Sequence, residues 1–118
     1  MTVAAFAERL RGGSPILSAW CGLPHPALAG LLAREAFDVV AFDLQHGGHD
    51  ATTAAQAIPL VAAAGKPALA RVPVGEFQSA SKLLDVGTSA IIAQMIDTVE
   101  DARRLVSFVK FPPAGGRS

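Results

Sequence analysis

The 118-residue chain has one cysteine, Cys21, so no disulfide can form within it. Its stability must come from packing and backbone hydrogen bonding, which suits a reducing compartment, and a cytoplasmic location is expected. Ten Lys and Arg balance ten Asp and Glu, and no basic run occurs. The electrostatic footprint of nucleic-acid or anionic-membrane binding is therefore missing. No apolar stretch reaches the ~18 residues of a membrane-spanning helix. The N-terminal segment carries Glu8 where a secretory leader would have a basic region followed by an apolar one, so neither membrane nor leader is expected. Gly12-Gly13 and Gly47-Gly48 lack the Gly-Lys-Ser/Thr or spaced-glycine pattern of phosphate-binding loops. Apolar residues, by contrast, are abundant: 51% hydrophobic against 17% charged gives ample material for a buried core and argues against disorder.

Hydrophobic periodicity and chain breakers divide the sequence into alternating elements. Val3 to Leu10 reads as a helix ended by Gly12-Gly13. Pro15 to Trp20 reads as a first strand. A helix follows from His25-Pro26 to about Ala36, with Pro26 suited to its first turn. Asp38 to Asp43 is a second strand. An alanine-rich helix, Ala51 to Ala64, stops at Gly65 and should be kinked or shortened by Pro59. Pro67 to Val72 is a third strand, and Phe77, Ala80, Leu83 and Leu84 recur at helical spacing before Gly87. Ser89 to Met95 is a fourth strand. Thr98 and Asp101 stand at capping-box spacing ahead of Val99, Ala102, Val106 and Val109 on one helical face. Phe111 to Ser118 is a breaker-rich tail.

The pattern is strand-helix, repeated about four times at the pace of βα units, with apolar strands suited to a parallel sheet. No linker or charge run divides the chain, so a single domain over 1–118 is expected. Two architectures fit: a small doubly wound sheet, or part of a (β/α)₈ barrel. A whole barrel needs ~250 residues, so length alone favours the open sheet.

Chemistry-bearing residues cluster after the second strand. Phe37-Asp38-Val39-Val40-Ala41-Phe42 delivers Asp43, Gln45, His46, Gly47, Gly48 and His49 into a loop before a helix. Ligands in α/β folds collect at such carboxyl ends. His46 is the candidate base, since histidine has the unperturbed pKa nearest neutrality. Arg71, after Ala68-Leu69-Ala70, is costly to bury unless it meets an anion, either a substrate carboxylate or enolate or a structural partner such as Asp43. Asp43 could orient the His46 loop or cap the following turn. Asp43, His46 and His49, at i, i+3 and i+6, could also converge on a metal, though no motif fixes that geometry. His49 alone reads as loop surface, His25 as a helix-entry residue, and Cys21 as a small packing residue. Arg117 could reach substrate or a partner subunit, or lie in a flexible terminus.

Five blocks, in order, resemble one known family. Phe37-Asp38-x-x-x-x-Asp43-x-Gln45-His46-Gly47 is similar to the strand-two signature of the HpcH/HpaI aldolases. Ala70-Arg71-Val72-Pro73 resembles the family's strand-three arginine, and Leu83-Leu84-Asp85-Val86-Gly87 its next block. Met95 to Arg103 resembles the strand-four exit and helix, and Phe111-Pro112-Pro113-Ala114-Gly115-Gly116-Arg117 the Tyr-Pro-Pro-x-Gly-x-Arg-Gly loop. The likeness runs from about Leu10 onward. Two departures are Gln94, where the family usually has proline, and Ser118, where glycine usually follows the arginine.

The resemblance implies a (β/α)₈ barrel, of which this chain would be the N-terminal half, β1 to α4, truncated at its C-terminal side. It implies a class II pyruvate aldolase that uses a divalent metal (Mg²⁺, Mn²⁺ or Co²⁺) to cleave a 4-hydroxy-2-oxo acid into pyruvate and an aldehyde. The family's metal ligands stand in Gln-x-Glu and Gly-x-x-Asp-Leu contexts, neither of which occurs here, so the chain alone is expected to be weakly active or inactive. By resemblance, the catalytic residues are His46 as base, Arg71 as enolate stabiliser and Asp85 as the acid paired with the histidine. Asp85 falls in the last turn of a predicted helix, at the end of a barrel opposite the catalytic face, so a neighbouring subunit or irregular packing would have to bring it to His46. Unpaired edges on the first and fourth strands predict aggregation, or self-association into an eight-strand assembly, and a homo-oligomer is expected. The alternatives are a non-catalytic half-barrel or assembly partner, and an acyl-CoA lyase of the wider superfamily.

Overall fold

The computed structural model describes residues 1–118. Its elements are α1 (Val3–Arg11), β1 (Ser18–Cys21), α2 (Pro26–Leu32), β2 (Val39–Asp43), α3 (Ala51–Ala63), β3 (Ala68–Val72), α4 (Phe77–Val86), β4 (Ala90–Ala93) and α5 (Val99–Val109). The four strands form one parallel sheet in the order β1-β2-β3-β4. That order decides between the two architectures. A doubly wound sheet reverses its strand order at a switch point, whereas right-handed crossovers in strict sequence put every helix on one face, as a barrel requires.

Alternation along the strands separates the two faces. Ala19, Cys21, Val40, Phe42, Ala68, Ala70 and Val72 join Ala29, Ala33, Ala54, Ala57, Ile58, Val61, Ala80 and Leu83 from the helices in one core. The intervening residues, among them Trp20, Asp43 and Arg71, therefore point to the concave face. Trp20 is half exposed there. β4 has no fully buried residue, and neither does α5, despite its apolar stripe.

Local chemistry explains most boundaries. Asp50 and Thr53 form a capping box that starts α3, and Thr98 and Asp101 form one that starts α5. Gly87 ends α4 in the left-handed conformation, φ 109°, which a side chain would resist. α1 is tied to the strand openings by Arg9, whose guanidinium donates to the Asp38 carboxylate at 2.6 and 3.0 Å and to the Pro15 carbonyl at 2.6 Å.

Several expectations are corrected. Pro59 does not shorten α3, which runs through it with Ala57, Ile58 and Val61 buried on its inner face. Pro59 itself faces outward, and tertiary burial outweighs one lost backbone bond. β1 starts at Ser18, three residues later than expected, and α2 ends at Leu32 rather than near Ala36. β4 is confined to Ala90–Ala93 and is only partly buried, because it forms an edge.

Candidate active site

Asp43, the last residue of β2, lies opposite Arg71 in the parallel register with β3. Arg71 Nε donates to Asp43 Oδ1 at 3.0 Å and Nη2 to Oδ2 at 2.6 Å, a bidentate pair. Trp20 Nε1 on β1 donates to Oδ2 at 3.2 Å, while the Arg71 guanidinium sits 5.0 Å from the Trp20 ring centroid. The backbone N–H groups of Gln45 and His46 donate to Oδ1 at 3.0 and 3.1 Å. One carboxylate thus accepts three bonds on Oδ1 and two on Oδ2, tying β1, β2, β3 and the His46 loop together. The Arg71 guanidinium, chief among these donors, holds the Asp43 carboxyl well below the usual carboxylate range. Within the chain Arg71 makes the structural ion pair with Asp43, and the same carboxylate caps the turn that opens the His46 loop. Arg71 Nη1 makes no bond within the chain and remains available on the concave face.

The loop from Leu44 to His49 is tightly specified. A Cβ on Gly47 would sit 2.5 Å from the Asp43 carbonyl oxygen and 3.1 Å from Gly22 Cα, so glycine is required by close approach. Gly48 N–H donates to the Gly22 carbonyl at 2.8 Å, tying the loop to the exit of β1. Gln45 Oε1 accepts from Val74 N–H at 2.9 Å, bridging to the exit of β3. The His46 residue is exposed, and only its backbone N–H is bonded within the chain.

His49 departs from its reading as loop surface. It is 4% exposed, with its ring packed edge-on to Phe42 at 5.1 Å. Its Nε2 lies 3.6 Å from Cys21 Sγ and its Nδ1 3.1 Å from Thr53 Oγ1. Cys21 and Phe42 from the sheet and Thr53 from α3 enclose the ring, and of these only Thr53, at i+4, is a sequence neighbour. Burial pushes the His49 pKa down and the Cys21 thiol up. With His49 turned into the core, Asp43 and His46 cannot complete a three-ligand site with it. No group of three His, Cys, Asp or Glu side chains in the chain is arranged to hold a metal ion.

Asp85 is not beside His46 within this chain. It lies in the last turn of α4, where its carboxylate accepts from Arg117 Nη2 at 2.5 Å. Arg117 is accordingly held by the chain, with its guanidinium 4.6 Å from the Phe111 ring. At the exit of β4, Met95 adopts a left-handed backbone, φ 56°, and Gln94 Nε2 is buried without a partner. No helix is long and apolar enough to cross a membrane.

Comparison with known proteins fits this geometry. The hydroxypyruvate/pyruvate aldolase of Deinococcus radiodurans is 33% identical over 95% of the chain, which covers 40% of that protein. The 4-hydroxy-2-oxo-heptane-1,7-dioate aldolase of Salmonella dublin is 29% identical over 96% of the chain and 43% of its own length. Macrophomate synthase superposes with a TM-score of 0.85 at 27% identity, over 98% of the chain and 40% of that structure. An HpcH/HpaI aldolase/citrate lyase family protein from Burkholderia cenocepacia gives 0.85 at 30% identity, over 97% and 47%. The chain thus spans less than half the length of each of these relatives, and its sheet is half of a (β/α)₈ barrel. With the description "HpcH/HpaI aldolase/citrate lyase" matching residues 17–118, the chain belongs to that family.

Proposed function

We propose that the protein of which these residues form the first barrel half is a carbon–carbon lyase that cleaves a 4-hydroxy-2-oxo acid to pyruvate and an aldehyde. The observation that carries this reading is the Asp43 hub, which fixes a free Arg71 Nη1 and the exposed His46 loop at the carboxyl ends of adjacent strands. Arg71 Nη1 binds the substrate carboxylate or the oxygen that becomes the enolate, where a fixed cationic donor favours developing negative charge. In cleavage, a base removes the 4-hydroxyl proton, the C3–C4 bond breaks, the aldehyde leaves, and the enolate takes a proton at C3 to give pyruvate. His46 is the group proposed to move these protons. Asp85, paired here with Arg117, serves as the histidine's acid only if a second subunit presents it, which makes a homo-oligomer part of the reading.

A divalent metal (Mg²⁺, Mn²⁺ or Co²⁺) is the expected partner in the whole protein, but the residues present do not fit one. The Asp43 oxygens are saturated by five donors and His49 is buried against Cys21 and Thr53. The proposal therefore gives this chain's residues substrate binding and proton transfer only.

The test is solvent-deuterium exchange into the pyruvate methyl group by the whole protein, since this chain alone is expected to be weak or inactive, run with Mg²⁺ or Mn²⁺ and with chelator. Exchange that falls about 10²- to 10⁴-fold in His46→Ala is expected. Exchange of equal rate in wild type and His46→Ala would remove His46 from the chemistry. No exchange in the whole protein, well folded and supplied with metal, would sink the lyase reading and favour a non-catalytic role for this barrel half.

A further inference from the structure

The proposed chemistry leaves one buried titratable side chain unused. His49 lies three residues beyond His46 in the same loop, and its ring meets the ends of three elements. Phe42 on β2 packs against it edge-on, Cys21 at the end of β1 faces Nε2, and Thr53 in the first turn of α3 faces Nδ1. Cys21 Sγ is in turn 3.6 Å from the Leu23 carbonyl, and Thr53 Oγ1 accepts from Asp50 N–H at 2.9 Å. The polar contacts of this imidazole therefore continue into the backbone on both sides.

The opposite end of the loop is clamped by Asp43 Oδ1, which holds the Gln45 and His46 N–H groups. Between the clamps, Gly48 N–H is fixed to the Gly22 carbonyl and Gly47 has no room for a side chain. Only the His46 side chain stands free. A loop held at both ends transmits the position of its anchors to whatever it displays at its centre. A phenylalanine at position 49 could fill the same space, but it could not hold Thr53 or Cys21.

We propose that His49 is a positioning residue: its bonds to Thr53 and Cys21 lock the β2–α3 loop and thereby fix where His46 presents its imidazole. This rests on the aldolase reading above, and the two can fail separately. In the whole protein, the experiment compares wild type with His49→Phe, which keeps ring bulk but loses both polar contacts, and with His49→Asn, which retains a polar group near Thr53. Two readouts are taken: pyruvate methyl exchange, and NMR of the histidine imidazoles and the Gly48 amide. With three histidines in the chain, His46 is assigned by single substitution.

In cooperatively folded His49→Phe, exchange should fall about 10- to 100-fold in kcat with KM for pyruvate within about twofold, the signature of a misplaced reacting group. The His46 imidazole resonance should shift, Gly48 should lose amide protection, and His49→Asn should recover part of kcat. Wild-type kcat in His49→Phe, or loss that merely tracks the unfolded fraction, would overturn the proposal. If wild type shows no exchange, the aldolase reading fails while the loop lock is still judged. An unchanged His46 imidazole resonance and Gly48 protection in His49→Phe would overturn the lock, and altered ones would support it.

Discussion

Replacing Asp43 by Asn tests whether one carboxylate organises the site. The change keeps the shape but removes the charge that faces Arg71, and it turns one acceptor oxygen into a donor. That donor must face either the Arg71 and Trp20 donors on Oδ2 or the Arg71, Gln45 and His46 donors on Oδ1. The Asp43 side chain is only 7% exposed, so water cannot substitute for the lost acceptor. Removing one partner of a buried pair costs about 3–5 kcal/mol. The concave face is open at Arg71, so the low end applies, about 3 kcal/mol. For a domain of this size that lowers Tm by roughly 10–15 °C.

Thermal and urea unfolding followed by circular dichroism measure this directly, and the pH dependence supplies its sign. The folded-state pKa of Asp43 is lowered, chiefly by Arg71, so its stabilisation is complete above the unfolded value of about 3.9 and declines as pH falls toward the folded one. The gap between wild type and Asp43→Asn should be constant from pH 7 to 5 and narrow below about pH 4. A gap under about 1 kcal/mol at pH 7, the range of an exposed pair, would refute the hub.

Three further outcomes follow from the packing. Gly47→Ala forces a methyl group against the Asp43 carbonyl and Gly22, so it should cost about 1–3 kcal/mol in urea unfolding and displace the His46 amide in NMR spectra. The Cys21 thiol, 1% exposed with its pKa raised by burial, should react with a thiol reagent at a rate set by opening of the fold, and become fully reactive in denaturant. The 118-residue chain should elute from size-exclusion chromatography at an apparent mass of two copies or more, because β1 and β4 are unpaired edges and α5 has no fully buried residue; a well-folded monomer would refute this.

What could be read from sequence was whatever local chemistry determines. Gly87 stops α4 because a left-handed residue is needed there, and Thr98 with Asp101 starts α5 through a capping box that spacing alone reveals. Asp43 and Arg71 were recognisable as an acid and a cation at neighbouring strand ends, since their meeting follows from parallel pairing. His49 was not recognisable, because its burial depends on Cys21 and Phe42, which reach it only once the sheet has formed. The half-barrel was likewise invisible to periodicity, which specifies βα units but not the order of the strands. It became visible through the five motif blocks and through the sequential sheet.

That strand order also bears on synthesis. Each strand pairs with the one made immediately before it, so every new βα unit emerging from a ribosome meets a finished template edge rather than waiting for a distant segment. The Asp43 hub can close as soon as β3 has emerged, since Trp20, the His46 loop and Arg71 all lie within the first 72 residues. The site would thus be assembled vectorially, with its acid and cation already paired while the remainder of a barrel is still being translated.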